Sequence, residues 1–384
     1  MNAALPVAGS GLALIVAAHG AWWSLLSLAA LRRPRPSPPP AQTWRFAVIV
    51  PAHNEEAGIT DCLASLKDAP FAPRPEIIVV ADNCTDATAD VARAHGVTVL
   101  ERTSQTERGK SFALDFALRT LAARPTPPDA VLFVDADTRV SGTFYSAIAS
   151  AFERGAQAVQ VHYAAEPDDA PLARLRALAL LLVHWARPLG AARLGLGTGL
   201  KGNGMAMRWH LVNRGVGGAG LAEDAAMTLA LAARGVPVRF VPGATVWGRM
   251  ASSYADAETQ DRRWEGGRLS LIPRALVTAL VALGRGRIAC AAAALEVAAL
   301  PLSALAAAAI VSGGLALAGF GSAWLAVVAA GSLVAYVTIG LLAARPSPRD
   351  LLALRSAPRF FLYKLRVFAG LLTRRQSAWE RTAR

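Results

Sequence analysis

Hydrophobic and polar positions divide the chain into two apolar zones and a middle stretch of alternating character. Residues 1–31 contain no Asp, Glu, Lys or Arg, and they are long enough to span a bilayer, which needs about 20 apolar residues. A second apolar zone covers residues 288–344 and contains one charged residue, Glu296. Glycines interrupt this zone and predict two spans, at 289–312 and 322–344. The pattern therefore predicts three transmembrane helices.

In the middle of the chain, short β-rich runs alternate with helical stretches. Continuous apolar strands separated by helices are typical of a parallel sheet covered on both faces. Ligands in such sheets bind beyond the carboxyl ends of the strands. The sequence thus predicts an α/β domain with its polar site at those ends. The predicted strands are 46–50, 76–80, 97–100 and 130–134, and the predicted helices between them are 55–67, 86–94 and 110–121.

These patterns predict an order of segments along the chain. Residues 171–189 are apolar but carry three arginines, which leaves a membrane-surface helix and a core helix both open. A signal peptide fits residues 1–31 less well than a span, because no basic residue precedes the apolar core. The predicted segments are an N-terminal transmembrane helix (1–31), a basic Pro-rich linker (32–43), the α/β domain (44–270), an interfacial segment (271–288), two transmembrane helices (289–344), and an interfacial helix with a basic tail (345–384).

Composition and charge support a membrane protein. Hydrophobic residues make up 54% of the chain, and the net charge of +13 favours either nucleic acid or an anionic membrane surface. The basic residues cluster beside the apolar zones and no nucleic-acid motif is present, so we expect a membrane and no nucleic acid. The positive-inside rule then predicts a multi-pass protein of a bacterial-type inner (plasma) membrane, with its α/β domain in the cytoplasm. Glu296 could line a functional path or reach the interface, and its place near the start of a span favours the interface.

Polar residues follow three of the predicted strands. Asn54 and Glu55 come after the first strand, where helix capping is the competing explanation. Asp82 follows the second strand and could bind a ribose or a base, or form an Asx-turn. Asp135 and Asp137 follow the fourth strand. Paired carboxylates at the end of a buried strand repel each other, and bound Mg²⁺ or Mn²⁺ would remove that repulsion while also binding a diphosphate.

A basic segment lies between the second and fourth strand ends. Gly109 would let the backbone approach a ligand, and Lys110 could offset the charge of a diphosphate. The complete spacing of a phosphate loop is missing, and a solvated start of a helix remains an equal alternative.

Together these segments resemble the membrane-integrated branch of family 2 glycosyltransferases, which are inverting enzymes of the GT-A (Rossmann-like) fold and include cellulose, hyaluronan and poly-N-acetylglucosamine synthases. The resemblance implies a mixed, mostly parallel sheet with about three transmembrane helices and interfacial helices. It extends in order over about 220 residues. The matching stretches are Val-Ile-Val-Pro-Ala-His-Asn-Glu-Glu (48–56), Val-Val-Ala-Asp-Asn-Cys-Thr-Asp (79–86), Arg-Gly-Lys (108–110), Val-Asp-Ala-Asp (134–137), Gly-Asn-Gly-Met (202–205), Ala-Glu-Asp (222–224) and Gln-Asp-Arg-Arg-Trp (260–264).

The resemblance also implies roles for individual residues. Asp224 would be the general base, although Ala222 replaces the usual Thr two positions earlier. Asp137, with Asp135, would hold the metal. The implied donor-binding residues are Ala52, Asn54, Glu55, Asp82, Lys110 and Asp135, and the implied acceptor or diphosphate residues are Gly204, Glu223, Gln260, Arg263 and Trp264.

The implied activity is a metal-dependent hexosyl transfer from a nucleotide-diphosphate sugar, with UDP-sugar favoured, onto a polysaccharide or glycolipid. Gln260, Arg263 and Trp264 match a signature of processive members, which favours polysaccharide biosynthesis. A secreting synthase needs a channel, however, and three spans form one only with interfacial helices, an accessory protein or another copy of the chain. Two alternatives therefore stay open: a lipid glycosyltransferase that adds a single sugar, and a non-catalytic membrane assembly partner that binds nucleotide sugar.

Overall fold

The computed structural model describes residues 4–36, 38–216, 222–251 and 253–373. Its strands form one mixed sheet in the order β3-β2-β1-β4-β7-β6-β8-β5. Strand pairs β1–β2, β1–β4, β2–β3 and β6–β8 are parallel, and pairs β4–β7, β6–β7 and β5–β8 are antiparallel, which confirms the predicted sheet. The strands are β1 (Phe46–Ala52), β2 (Glu76–Asp82), β3 (Thr98–Arg102), β4 (Ala130–Phe133), β5 (Thr138–Val140), β6 (Ala158–Ala165), β7 (Met205–Arg208) and β8 (Val238–Gly248).

Fifteen α-helices surround or extend from this sheet in the described part of the chain. A π-helical turn at Leu181–Ala186 joins α6 to α7, and a 3₁₀ turn at Leu352–Ser356 joins α14 to α15. The helices are α1 (Ala4–Ala29), α2 (Ile59–Asp68), α3 (Thr88–Ala94), α4 (Lys110–Ala122), α5 (Phe144–Glu153), α6 (Pro171–Leu180), α7 (Arg187–Arg193), α8 (Trp209–Val212), α9 (Glu223–Ala233), α10 (Tyr254–Gly284), α11 (Ile288–Ala298), α12 (Leu302–Leu317), α13 (Ala323–Ala344), α14 (Pro348–Leu351) and α15 (Ala357–Thr373).

The central strands are apolar along their whole length because helices cover both faces of the sheet. In β1, Val48 and Val50 face a core shared with α2 and α5. Ala47 and Ile49 point to the opposite face, into a core shared with α4 and α9. Successive side chains of a strand alternate between faces, so burial on both sides explains an uninterrupted apolar run.

Three described helices are long and apolar enough to cross a membrane: Gly9–Ala29, Gln260–Gly284 and Ala323–Ala344. The second of them lies within α10, which continues as one helix through most of the range 271–288 that was predicted as an interfacial segment.

The span predicted at 289–312 coincides with two helices in the structure. Helices α11 and α12 meet there at a bend of 71° and together form a broken span or a re-entrant loop. Pro301 stands immediately before α12. The residue before a proline disfavours helical backbone angles, and Ala299, which caps α11, is already extended.

The apolar helices pack closely on each other and on the α/β domain. Trp23 of α1 contacts Tyr336 of α13, with ring centroids 4.9 Å apart. Gly190 of α7 lies directly against the backbone of Leu26 in α1, where a Cβ would overlap the Leu26 carbonyl oxygen. Small residues allow such close approach of helices. The α/β domain is therefore fixed to α1 by direct backbone packing.

Candidate active site

A cleft of about 890 Å³ opens beyond the carboxyl ends of β1, β2 and β4. This is the position at which ligands bind in sheets of this kind. Most of the site residues named from the sequence line it. Those residues are Ala52, Asn54, Glu55, Asp82, Lys110, Asp135, Asp137, Glu223, Asp224, Gln260 and Trp264.

The turns after β1 and β2 are held to each other by side-chain hydrogen bonds. Thr85 N donates to Asn54 Oδ1 at 2.7 Å, and Asn54 Nδ2 donates to Thr85 Oγ1 at 3.0 Å. Glu55 N donates to Thr88 Oγ1 at 2.8 Å. Because these bonds fix residues 53–58 as a turn, the helix predicted from residue 55 begins only at Ile59. The two strand ends therefore form one rigid wall of the cleft.

Asp82 is buried at the cleft and is paired with a cation that the sequence analysis missed. Arg102, at the end of β3, donates to Asp82 Oδ1 at 2.7 Å and to Glu107 Oε2 at 2.8 Å. The Asp82 side chain is 8% exposed and that of Arg102 is 7% exposed. The guanidinium holds the Asp82 carboxylate in one orientation. The sequence signal for this ion pair is that a charged residue, Arg102, ends the third strand.

Lys110 occupies the centre of the acidic part of the cleft. Its Nζ donates to Asp135 Oδ1 and, at 2.6 Å, to Gly202 O. Burial alone would lower the pKa of Lys110, but the carboxylates of Asp135, Glu223 and Asp224 raise it above its ordinary value. The ammonium therefore stays charged among these acids.

Glu223 and Asp224 begin α9, whose N-terminus favours negative charge. Burial raises the pKa of Glu223, and Asp224 and Asp135 raise it further, while Lys110 opposes the increase. Asp224 Oδ1 accepts a hydrogen bond from Ala225 N at 2.7 Å. A Cβ placed on Gly202 would lie 3.8 Å from Asp224 Oδ2, so the loop before β7 and the start of α9 meet at this carboxylate.

Gly204 does not line the cleft. It has a φ of 64°, and a Cβ there would lie 2.5 Å from Val161 Cγ2 and 2.8 Å from Val246 Cγ2. The structure thus gives Gly204 a packing position behind the cleft wall. Its neighbour Gly202 faces the cleft instead.

Gln260 and Trp264 reach the cleft from α10, and a buried polar network holds that part of the helix. Arg176 of α6 donates to Gln260 Oε1 at 2.7 Å and to Asp261 Oδ1 at 3.0 Å. Tyr363 Oη of α15 donates to Asp261 Oδ2 at 3.1 Å, and Lys364 Nζ lies 3.1 Å from the same oxygen. Residues 171–180 are accordingly a core helix beside the site.

The side chain of Arg263 is outside the part of the chain that the structure describes. Its predicted role at the diphosphate therefore stays a prediction.

Glu296 lies in the cleft wall. Its carboxylate accepts from Thr198 Oγ1 at 2.8 Å and from Gly199 N at 2.7 Å, and it pairs with Lys201 Nζ at 2.5 Å. The interface position predicted for Glu296 from the sequence stays a prediction, and its carboxylate contacts the α/β domain. Burial lowers the pKa of Lys201, although Glu296 opposes the decrease.

Comparisons with known proteins show which families and structures this chain is similar to. A family model described as glycosyltransferase like family 2 matches residues 41–267. The chain is 36% identical over 103 residues, or 26% of each chain, to 4,4'-diaponeurosporenoate glycosyltransferase of Staphylococcus haemolyticus. It is 25% identical over 236 residues to a probable glycosyltransferase, YdaM, of Bacillus subtilis, covering 58% of this chain and 55% of YdaM. The chain thus spans about a quarter and about half the length of these relatives.

Among solved structures, this one is similar to the mannosyltransferase PcManGT from Pyrobaculum calidifontis, determined in complex with GDP-Man and Mn²⁺. The TM-score is 0.52 at 20% sequence identity, over 86% of this chain and 98% of the mannosyltransferase. At this identity the likeness shows the shared fold, a GT-A type α/β sheet.

Proposed function

The chain belongs to the glycosyltransferase family 2 group, and on that premise we propose that it transfers a sugar from a nucleotide-diphosphate sugar, UDP-sugar in the first instance, to a glycan or glycolipid with inversion at the anomeric carbon. The observation that carries the proposal is the meeting of Asp135, Asp137 and Asp224 with Gln260 and Trp264 in one cleft.

The donor nucleoside is proposed to lie along the wall built from the first two strand ends. Asp82 would accept hydrogen bonds from the nucleoside, since its carboxylate is fixed by Arg102 at 2.7 Å. Asn54 and Glu55 lie in the turn beside it. Lys110, which stays charged at neutral pH, would offset the negative charge of the diphosphate.

The carboxylates at the end of β4 suit Mg²⁺ or Mn²⁺. Asp135 already binds a cationic group, the Lys110 ammonium, and both acids supply the oxygen ligands that these ions prefer. No group of three or more His, Cys, Asp or Glu that could hold a metal occurs among the described residues, so Asp135 and Asp137 would share the ion with diphosphate oxygens of the donor. A bound ion would neutralise the charge that develops on the departing nucleotide.

Asp224 is the proposed general base. An inverting transfer needs one carboxylate to take the proton of the acceptor hydroxyl as its oxygen attacks the anomeric carbon. Asp224 lines the cleft at the start of α9, next to the loop that carries Gly202. Trp264 would stack on the acceptor sugar from α10.

We place the protein in a bacterial-type plasma membrane with the cleft on the cytoplasmic side. Three helices with the length and composition of spans support a membrane location, and the basic residues beside the apolar zones support the cytoplasmic side. Processive synthesis and addition of one sugar are both compatible with the cleft, and product sizing separates them, since a ladder of lengths requires processivity.

The test uses the full chain in nanodiscs, with UDP- and GDP-sugars supplied in the presence and absence of Mn²⁺. We expect nucleotide release that depends on the metal and is lost in Asp137→Ala. Asp61→Ala is the matched control, because Asp61 is an exposed acid on α2 outside the cleft. Absence of release with every common donor would instead support a non-catalytic binding partner, and unchanged turnover in Asp137→Ala would remove the metal assignment.

A further inference from the structure

The end of the cleft next to the apolar helices contains more cations than anions. Lys201 and Arg268 line it together with Glu296, and the Lys201 side chain is only 9% exposed. Arg187 lies close enough to Lys201 to lower its pKa, as does Arg268. We call these four residues the basic pocket. Three cations thus lie near the carboxylate of Glu296. Glu265, three residues before Arg268 on α10, also lines the cleft, and its carboxylate is paired with Lys364 at 3.1 Å.

The carboxylate of Glu296 already has three polar partners. Its two oxygens receive the hydroxyl of Thr198, the amide of Gly199 and the ammonium of Lys201. Arg268 donates to the main-chain oxygen of Glu296 at 2.8 Å, which does not neutralise its charge.

Arg187 lies near enough to the Glu296 carboxylate to interact with it electrostatically, but the two form no ion pair. Arg187 is 6% exposed, its Nε is buried with no hydrogen-bond partner, and its guanidinium lies over the Trp23 ring at 4.7 Å. Neither Arg187 nor Arg268 forms an ion pair with a carboxylate in the described ranges. Buried charge is costly unless it is paired, so a bound anion would stabilise the basic pocket.

The surroundings of the basic pocket indicate where that anion comes from. Leu180 and Val183 line the cleft, the second within the π-helical turn that directly precedes Arg187, and Val297 lines it from α11. Glu296 stands just before the bend of the broken helix pair, and Trp23 belongs to a candidate span. Apolar side chains of the cleft and helices suited to the lipid bilayer are therefore close to the basic pocket in the chain.

The basic pocket is also close to the proposed general base. The carboxylate of Glu296 lies beside Gly199, and Asp224 lies beside Gly202. Three residues of extended chain span at most about 10 Å. A ligand anchored at Lys201 can therefore present its next chemical group to the part of the cleft where Asp224 and Lys110 meet Gly202.

From these contacts we propose that the basic pocket binds the acidic head group, a phosphate or a carboxylate, of a lipid-borne acceptor, with the acyl or prenyl chain leaving along Leu180 and Val183. This inference rests on the proposed transferase function and names the class of its acceptor. The proposal distinguishes an acidic lipid acceptor from the neutral glycan end that a polymer synthase would extend.

Binding of three ten-carbon probes to the full chain in phosphatidylcholine nanodiscs tests the proposal. Decyl phosphate and decanoate carry the two acidic groups, and decyl glucoside is neutral. Inorganic phosphate tests whether the lipid chain is needed. We expect at least one acidic probe to bind about tenfold more tightly than decyl glucoside and than inorganic phosphate, a difference of about 1.4 kcal/mol.

Arg268→Gln should weaken the preferred acidic probe about tenfold. The matched control is Arg285→Gln, which removes an exposed cation beside the same helices but outside the cleft and should leave binding unchanged. Equal binding of the neutral probe, an equal loss in the two variants, or no loss in Arg268→Gln would overturn the proposal.

Nucleotide binding is measured separately in the same samples. Displacement of the acidic probe by UDP at its own binding concentration would assign the pocket to the donor diphosphate and refute the acceptor role. Retained UDP binding with no preference for acidic probes would refute only the acceptor role, whereas failure to bind any nucleotide would refute the proposed function itself.

Discussion

Replacement of Asp261 by alanine tests whether the polar network that holds α10 positions the proposed acceptor side of the cleft. Asp261 is 2% exposed. Its oxygens lie 3.0 and 3.1 Å from Arg176 and 3.1 Å from Lys364. In Asp261→Ala, the guanidinium of Arg176, whose side chain is 6% exposed, would remain buried without its carboxylate.

The loss of folding stability expected in Asp261→Ala follows from the burial of Arg176. Removing one partner of a buried ion pair typically destabilises a protein by about 3–5 kcal/mol, which is a large part of the usual 5–15 kcal/mol of total stability. We expect the midpoint of thermal unfolding in nanodiscs to fall by roughly 6 °C or more. Glu258→Ala is the control on the same helix. Glu258 pairs with Arg262 but is 46% exposed, and exposed helix pairs contribute about 0.3–0.5 kcal/mol.

The functional part of the prediction concerns Gln260, which shares Arg176 with Asp261. Misplacing α10 should reduce transfer by roughly a hundredfold, while UDP binding is retained because the strand ends are unaffected. The double variant Arg176→Met/Asp261→Met should recover stability, since apolar groups can replace a buried pair, but should not recover transfer. A loss in Asp261→Ala no larger than in Glu258→Ala, or restored transfer in the double variant, would refute the positioning role.

Three further predictions follow from the cleft and the helix packing. Asp224→Asn should lower kcat by about 10²–10⁴ and leave UDP affinity unchanged in a titration; wild-type turnover would remove Asp224 as the base. Burial raises the pKa of Glu223 above its ordinary value of 4.5. The stability that the Glu223 carboxyl gives to the folded protein is therefore fully present below pH 4.5 and is lost as the pH rises through the pKa in the folded state. Glu223→Gln should therefore unfold at a higher temperature than wild type at pH 8 and at a similar one at pH 4; no difference at pH 8 contradicts this. Gly190→Ala should destabilise the chain, because its Cβ meets the Leu26 backbone, whereas Gly313→Ala should not, since nothing lies within 4 Å there.

The sheet and the acidic half of the cleft were predictable from local sequence. Strand β1 is buried on both faces, so its apolar run is continuous and its end is marked by the first polar residues. Asp82 and Asp135 each follow such a run, and parallel neighbours place their ends together. The positions of these acids therefore followed from strand order alone.

The remaining parts of the site depend on pairings between distant segments. Lys201 and Glu296 are 95 residues apart, and Arg176 meets Asp261 across 85 residues. No periodicity encodes such pairs, since each partner alone is compatible with an exposed position. The bend after α11 differs from these distant pairings because it has a local signal in the sequence. That signal is Pro301, which interrupts an apolar run.

The Asp261 network has a consequence for the order in which the protein matures. Tyr363 follows Asp261 by 102 residues, and Lys364 follows Glu265 by 99. During synthesis, the strand ends and their acids leave the ribosome well before the helix that braces α10. A nascent chain can thus acquire a nucleotide cleft while its acceptor side is still loose. On the proposed function, competence for transfer would therefore come only after α15 has packed against α10.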